Sequence, residues 1–329
     1  MEYNNKIILV TGGTGSFGNY ITHRLFEEGA KEIRILSRDE KKQYDMRNRY
    51  NSDPRLKFFL GDIRDAARVD AVMEGVDIVY QAAALKQVPA CEMSPYEAVK
   101  TNIIGVENII QSALRHAVEK VICVSTDKAV KPVNVMGMTK AIQERLMLSA
   151  NHAPANKGTR FCVVRYGNVM LSRGSVIPFF RELLEQDKPL TITDERMTRF
   201  LLTLNDAIDL VMYATEHTKG GETFVKKAPS SLIIDLARIV CDMEETEFNY
   251  TLIGKYPGEK IHEILITEEE LQRTEDKGDY FVVHPWWDKR IFTDLEEEYS
   301  SGMEVVQDLT LIKELIIAAD IKAELIPVD

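Results

Sequence analysis

Near the start of the chain, Thr11-Gly12-Gly13-Thr14-Gly15-Ser16-Phe17-Gly18 stands between a short β-branched run and a helix-period stretch. Glycines at 12, 15 and 18 let a backbone turn tightly, approach a pyrophosphate and pack helix on strand, while the N-terminus of the following helix favours negative charge. The chemistry on offer is dinucleotide binding, with Thr14, Ser16 and Phe17 in the same loop. Glycines that only make turns are the other reading, and the strand-loop-helix order weighs against it. After the second strand comes Ser37-Arg38-Asp39, where an NAD-binding chain places an acid against the ribose 2′-hydroxyl. Arg38 suits a 2′-phosphate, so NADP is expected, although an arginine there can also serve solubility and Asp39 is its neighbour. Asp62, in Gly61-Asp62-Ile63 after the third strand, is placed either to meet an adenine or to cap a helix. Ala82 and Ala83, after the fourth strand, complete the expected cofactor contacts.

A second concentration lies where the fifth strand ends, in Ser125-Thr126-Asp127-Lys128, followed by Asn134-Val135-Met136-Gly137-Met138-Thr139-Lys140. A carboxylate beside an amine can act as acid and base, or can be a solvated ion pair. Open α/β sheets bind ligands at the C-terminal ends of their strands, which favours the first reading.

The elements that must position these residues are legible as an alternation. Lys6–Val10, Ile33–Leu36, Lys57–Leu60, Ile78–Tyr80, Val121–Val124 and Phe161–Val164 read as strands, and Ser16–Glu28, Tyr96–Arg115 and Met136–Ser149 as helices between them. The expected fold is α/β: a Rossmann-type doubly wound parallel sheet over residues 1–166, with a smaller C-terminal α/β substrate lobe over 167–329. Shorter elements follow Tyr166: a helix near Phe179–Glu185, a strand at Leu190–Thr193 and a helix from Leu204. In the segment 279–329, Phe281, Trp286 and Trp287 suit a core or a subunit interface, and the helix-like Leu309–Ala319 suits docking on the body or on a neighbour.

Bulk properties exclude several classes. Acidic residues outnumber basic ones by 52 to 41, for a formal charge of −11, so a broad basic surface for nucleic acid or anionic lipid is not expected. Cys91, Cys123, Cys162 and Cys241 are far apart with no CxxC pair, which argues against a zinc site or a disulfide framework; no metal is expected. With no long apolar run and no leader-like N-terminus, a cytoplasmic location without membrane partners is expected.

The Asp127–Lys140 arrangement resembles the extended short-chain dehydrogenase/reductase family, in which a Thr/Ser strand end faces a helix carrying Tyr-x-x-x-Lys; Lys140 matches the lysine and Met136 replaces the tyrosine. More narrowly, Ala83-Ala84-Leu85-Lys86-Gln87-Val88-Pro89, Ser125–Lys128, Arg165-Tyr166-Gly167-Asn168-Val169, Arg173-Gly174-Ser175-Val176-Ile177-Pro178 and Met197-Thr198-Arg199-Phe200 resemble UDP-N-acetylglucosamine 4,6-dehydratases. The C5-inverting capsule-pathway enzymes, which also carry methionine at the tyrosine position, match best, over about residues 5–275.

The resemblance implies oxidation at sugar C4, loss of the C5 proton and C6 hydroxyl, and return of hydride to C6. It implies NADP as cofactor, UDP-N-acetylglucosamine as substrate and a homo-oligomer, a hexamer in similar enzymes. Lys128 stands at the position of a glutamate base, and burial, Lys140 and a cofactor's positive charge are expected to lower its pKa. Asp127, with Thr126, is the candidate acceptor of the O4 proton, since the thioether of Met136 cannot take it, and Lys140 is expected at the nicotinamide ribose. Arg199 matches a diphosphate-binding arginine; Asn168, Val176, Thr191 and Glu259 match positions around the UDP moiety; Lys86 is a weaker candidate for the sugar or diphosphate. Tyr256 replaces an expected arginine. Two rivals stay open: a UDP-sugar 4-epimerase, in which Lys128 would have no task, and a non-catalytic NADP-binding regulator.

Overall fold

Branched apolar side chains crowd six short runs, and in the computed structural model each becomes a strand: β1 Ile7–Thr11, β2 Glu32–Ser37, β3 Leu56–Leu60, β4 Ile78–Gln81, β5 Lys120–Val124 and β6 Arg160–Arg165. The structure describes residues 2–171, 175–303 and 305–325, without the side chains of 321–325. The six strands are parallel in the order β3-β2-β1-β4-β5-β6, so the direction of winding reverses between β1 and β4. Thr11 is in register with Leu36 on one side and Gln81 on the other, which brings the loops after these strands to one rim.

Alternate residues face opposite sides, as the period of a strand requires. Ile8, Val10, Ile33 and Ile35 pack under the helices Ser16–Glu27 and Leu204–His217; Leu9, Leu36, Val79 and Val121 pack under Ala66–Met73, Gly105–Arg115 and Val135–Ser149. The sheet does not stop at residue 166. Thr223–Lys226 adds in parallel beside β6, and Tyr280–Val283 and Thr274–Asp276 continue it antiparallel, giving nine strands.

The helix expected over Tyr96–Arg115 is broken into Pro95–Val99, a π turn at Lys100–Ile104 and Gly105–Arg115. Irregular turns of this kind need a local cause, and here it is the buried Asn102. Its side chain accepts from Leu85 N at 2.8 Å and donates to Leu85 O and Thr139 Oγ1 at 3.0 Å, tying the loop after β4 to the helix Val135–Ser149.

The smaller lobe is built on the parallel pair Leu190–Ile192 and Tyr250–Leu252, covered by Val176–Glu185, Ile233–Met243 and the C-terminal helix Leu309–Leu325. That last helix docks on its own lobe, burying Ile312, Ile316 and Ala319. Phe281 lies in the core beside Val225 and Leu265, Trp287 stacks edge-on against His152, and Trp286 is exposed. All four cysteines are free and buried, and no helix among the described residues is long and apolar enough to cross a membrane.

The turn Glu268–Arg273 is joined to the sheet by a buried ion cluster. Arg165, at the end of β6, donates from Nε and Nη2 to Glu144 at 2.9 and 2.7 Å and from Nη1 to Glu270 at 2.9 Å. Burial opposes ionisation of Glu270, but the guanidinium outweighs it and holds the carboxyl below its ordinary range. Arg165→Met would leave two buried carboxylates without their cation, at a cost on the order of 3–5 kcal/mol at neutral pH. Stability held by a depressed carboxylate is present above the unfolded-chain value and lost as pH falls through the native one. Denaturant titrations should therefore show a gap between wild type and variant that narrows toward acid; no gap at neutral pH would remove the cluster's role.

Candidate active site

Over the C-terminal ends of β1 to β4 lies a cleft of about 820 Å³ lined by Gly12, Thr14, Gly15, Ser16, Phe17, Gly18, Ser37, Arg38, Asp62, Ile63, Ala82 and Ala83. Every one of the sequence-selected cofactor residues except Lys140 is therefore in one place. Gly12 has φ +66°, and a Cβ there would sit 3.0 Å from the Ala83 backbone. At Gly18 a Cβ would come 2.4 Å from Gly13 Cα, so helix and loop are as close as backbones allow. The Thr14 and Ser37 hydroxyls are 2.6 Å apart, and Thr11 Oγ1 accepts from Ala82 N and Ala83 N at 3.2 Å, fixing the cleft's two walls to each other.

Arg38 is more than half exposed, its Nη1 3.7 Å from Asp62 Oδ2. Asp39 is occupied: it caps the helix Glu40–Arg49, accepting from Lys42 N at 3.0 Å. Lys42 also lines the cleft and was not found from the sequence; its place one turn into that helix is the signal that could have found it. Asp62 is not a helix cap, because Asp65 caps Ala66–Met73. It accepts instead from Arg64 N and Nε, both at 2.9 Å, and although burial raises its pKa these bonds hold it low overall. Lys86 lies on this cleft and not on the second pocket described below.

Beside the cleft, the turn after β5 carries the charged cluster. Asp127 is fully buried; its Oδ1 accepts from Thr126 Oγ1 at 2.8 Å and from Lys128 Nζ at 3.0 Å, and its Oδ2 has no hydrogen-bond partner among the described residues. Glu263, which directly precedes the short strand Ile264–Ile266, places Oε1 3.2 Å from the same Nζ. The expectation of a lowered Lys128 pKa is thus corrected. Burial does disfavour the ammonium, but Asp127 and Glu263 together outweigh it and hold the amine above the ordinary lysine value. Sequence reading missed Glu263 because it belongs to none of the recognised motifs. Lys140 is different: burial pulls it down, and its Nζ donates to Val124 O at 2.6 Å and Gln143 Oε1 at 3.0 Å. Met136 is buried with Cys91 and Ala98 in a small apolar cluster, so no hydroxyl stands at the tyrosine position.

A second pocket, about 270 Å³ and largely apolar, is lined by Asn168, Val176, Thr191, Arg199 and Glu259, together with Phe179, Phe180 and Tyr256. Asn168 Oδ1 and Ser175 Oγ are buried on its wall without a hydrogen-bond partner among the described residues, which suits a polar ligand. Arg199 joins this pocket to the charged cluster, its Nε 3.8 Å from Glu263 Oε1. Arg173 and Gly174 of the matched motif lie outside the described residues.

A family model described as polysaccharide biosynthesis protein matches residues 8–285. A curated protein of Rickettsia canadensis named UDP-glucose 4-epimerase is 50% identical over 85% of this chain and 83% of its own. Among solved structures, one titled Pen from Bacillus thuringiensis is 36% identical, covers 97% of this chain and 98% of its own, and superposes with a TM-score of 0.91. A dTDP-glucose 4,6-dehydratase from Streptomyces venezuelae shares the fold at a TM-score of 0.70, with 21% identity over 78% of this chain and 86% of its own.

The helix Val135–Ser149 approaches the Lys128 turn so closely that a Cβ at Gly137 would lie 2.2 Å from Lys128 O. Neither backbone can yield without moving the cluster, so Gly137→Ala should lower stability by about 1–3 kcal/mol. Thermal denaturation checks this; an unchanged melting temperature would mean that the helix and the turn are not locked.

Proposed function

Because this chain belongs to the polysaccharide biosynthesis protein family, we propose that it is an NADP-dependent nucleotide-sugar 4,6-dehydratase, converting UDP-N-acetylglucosamine to a UDP-4-keto-6-deoxy-hexosamine with inversion at C5. The observation that carries this reading is the Lys128 amine, 3.0 Å from the Asp127 carboxylate at the C-terminal end of β5, in a site whose tyrosine position is a buried methionine. An acid and a base side by side suit proton transfer at two centres, whereas a reaction confined to C4 leaves the amine without a task.

When bound in the glycine-loop cleft, NADP supplies the hydride acceptor and donor. Arg38 and Lys42 suit its 2′-phosphate, since Asp39 is engaged as a cap, and Lys140 suits the nicotinamide ribose. In the second pocket, Arg199 suits the diphosphate, and Asn168, Val176, Thr191 and Glu259 suit the uridine.

Asp127 takes the O4 proton, directly or through the Thr126 hydroxyl. Its neutralisation removes one of the two charges that keep Lys128 protonated, so the event that acidifies C5 also frees the amine to act as its base. The Lys128 ammonium, so loosened, releases its proton to solvent and takes the C5 proton; Asp127 gives its proton to the departing C6 hydroxyl, which leaves as water, and once hydride has been returned to C6 a solvent proton reaches C5 on the opposite face. A 4-epimerase is the second reading, favoured by the name of the Rickettsia canadensis relative.

Two outcomes test these assignments. Arg38→Ala should weaken NADP about ten- to a hundredfold, the worth of a hydrogen bond to a charged group, and leave NAD nearly untouched; equal losses in calorimetry would remove the 2′-phosphate assignment. Lys128→Met should cut turnover of UDP-N-acetylglucosamine at least about a hundredfold with cofactor binding retained. Near-normal turnover by that variant would exclude the amine as base.

A further inference from the structure

Burying a carboxylate is costly unless cations or donors repay it. Glu263 is 2% exposed, and three cations surround its carboxylate: Lys128 Nζ at 3.2 Å and Arg199 Nε at 3.8 Å from Oε1, and Lys260 Nζ at 3.9 Å from Oε2. Among the described residues Oε2 has no hydrogen-bond partner, as Asp127 Oδ2 has none, so each of the two carboxylates that meet the Lys128 amine keeps one buried oxygen unsatisfied. An ion pair kept only for stability would satisfy its oxygens.

The backbone that carries Glu263 is pinned from a segment to which sequence motifs assign nothing. Ser301 Oγ accepts from Glu263 N at 2.9 Å, Ser301 N donates to Glu263 O at 2.8 Å, and the Ser301 and Thr198 hydroxyls are 2.7 Å apart. Thr198 precedes Arg199, so one buried serine sets the carboxylate and the arginine relative to each other.

We propose that Glu263 is a positioning residue of the reaction: it holds the Lys128 ammonium against Asp127 from a distant segment of the chain and thereby sets the pH at which that amine can accept a proton. This rests on Lys128 being the base. The charges facing Lys128 are Asp127, Glu263, Arg199 and Lys260, and those facing Glu263 are Lys128, Arg199 and Lys260. Burial and Arg199 favour the neutral amine, and the two carboxylates oppose them and prevail. Removing the Glu263 charge leaves Asp127 alone on that side.

The test follows the Lys128 amine by NMR of lysine-labelled protein without substrate, assigned with Lys128→Arg, alongside the pH profile of kcat/KM. In wild type the amine should titrate above the exposed lysines. In Glu263→Gln both the titration and the acid limb of the profile should move to lower pH by about one unit or more, the scale of losing one opposite charge. Glu263→Asp should keep the limb near its wild-type position while kcat falls. An unmoved titration in Glu263→Gln overturns the proposal, and so does a wild-type amine titrating below the exposed lysines, whether or not the variants fold. If the titration shifts but the product is a C4 epimer, the dehydratase reading fails and Glu263's hold on Lys128 stands. If the product is dehydrated and the titration does not shift, the dehydratase reading stands and that hold fails.

Discussion

One ammonium held between two buried carboxylates is the constraint on which the site depends. Lys128 is bonded to Asp127, its neighbour in the turn after β5, and paired with Glu263 from far along the chain. Both carboxylates are buried and the amine is half-buried, so each carboxylate depends on a nearby cation. The segments that carry Glu263 and Glu270 must therefore be held against the sheet, and the Ser301 bonds and the Arg165 cluster hold them. The same arrangement makes the proton affinity of the amine depend on the protonation of Asp127, which links the two halves of the proposed chemistry.

The parallel sheet explains why these groups meet at all. Strands that run the same way end on the same rim, so the glycine loop after β1, Arg38 after β2, Asp62 after β3 and the Asp127 turn after β5 are brought together from distant parts of the chain. The tight places then fix the detail: helix against loop at Gly18, and helix against the Lys128 turn at Gly137.

Much of this was legible before the structure because it is local. A β-branched run, a glycine loop and a helix form a unit, and apart from Lys140 and Lys86 the residues expected at the cofactor and at the UDP moiety line the cleft and the apolar pocket respectively. What the sequence hid is nonlocal. Glu263 stands alone between segments with no pattern of its own, and the charge state of Lys128 was misjudged because its second partner was unknown. The return of Thr223–Lys226, Tyr280–Val283 and Thr274–Asp276 to the sheet was likewise missed, since a strand of three or four residues carries too little periodicity to be placed. Lys42 escaped because its partner Asp39 drew attention as an acid and not as a cap.

In the proposed reaction the acid–base pair works at C5 and C6, beyond the carbon that is oxidised. Wild-type protein incubated with UDP-N-acetylglucosamine and NADP in D₂O decides it by proton NMR of the product. A dehydratase gives a 4-keto sugar with a new C6 methyl signal, uncoupled because C5 carries deuterium. A C4 epimer that keeps its C6 hydroxyl and its C5 proton would contradict the account.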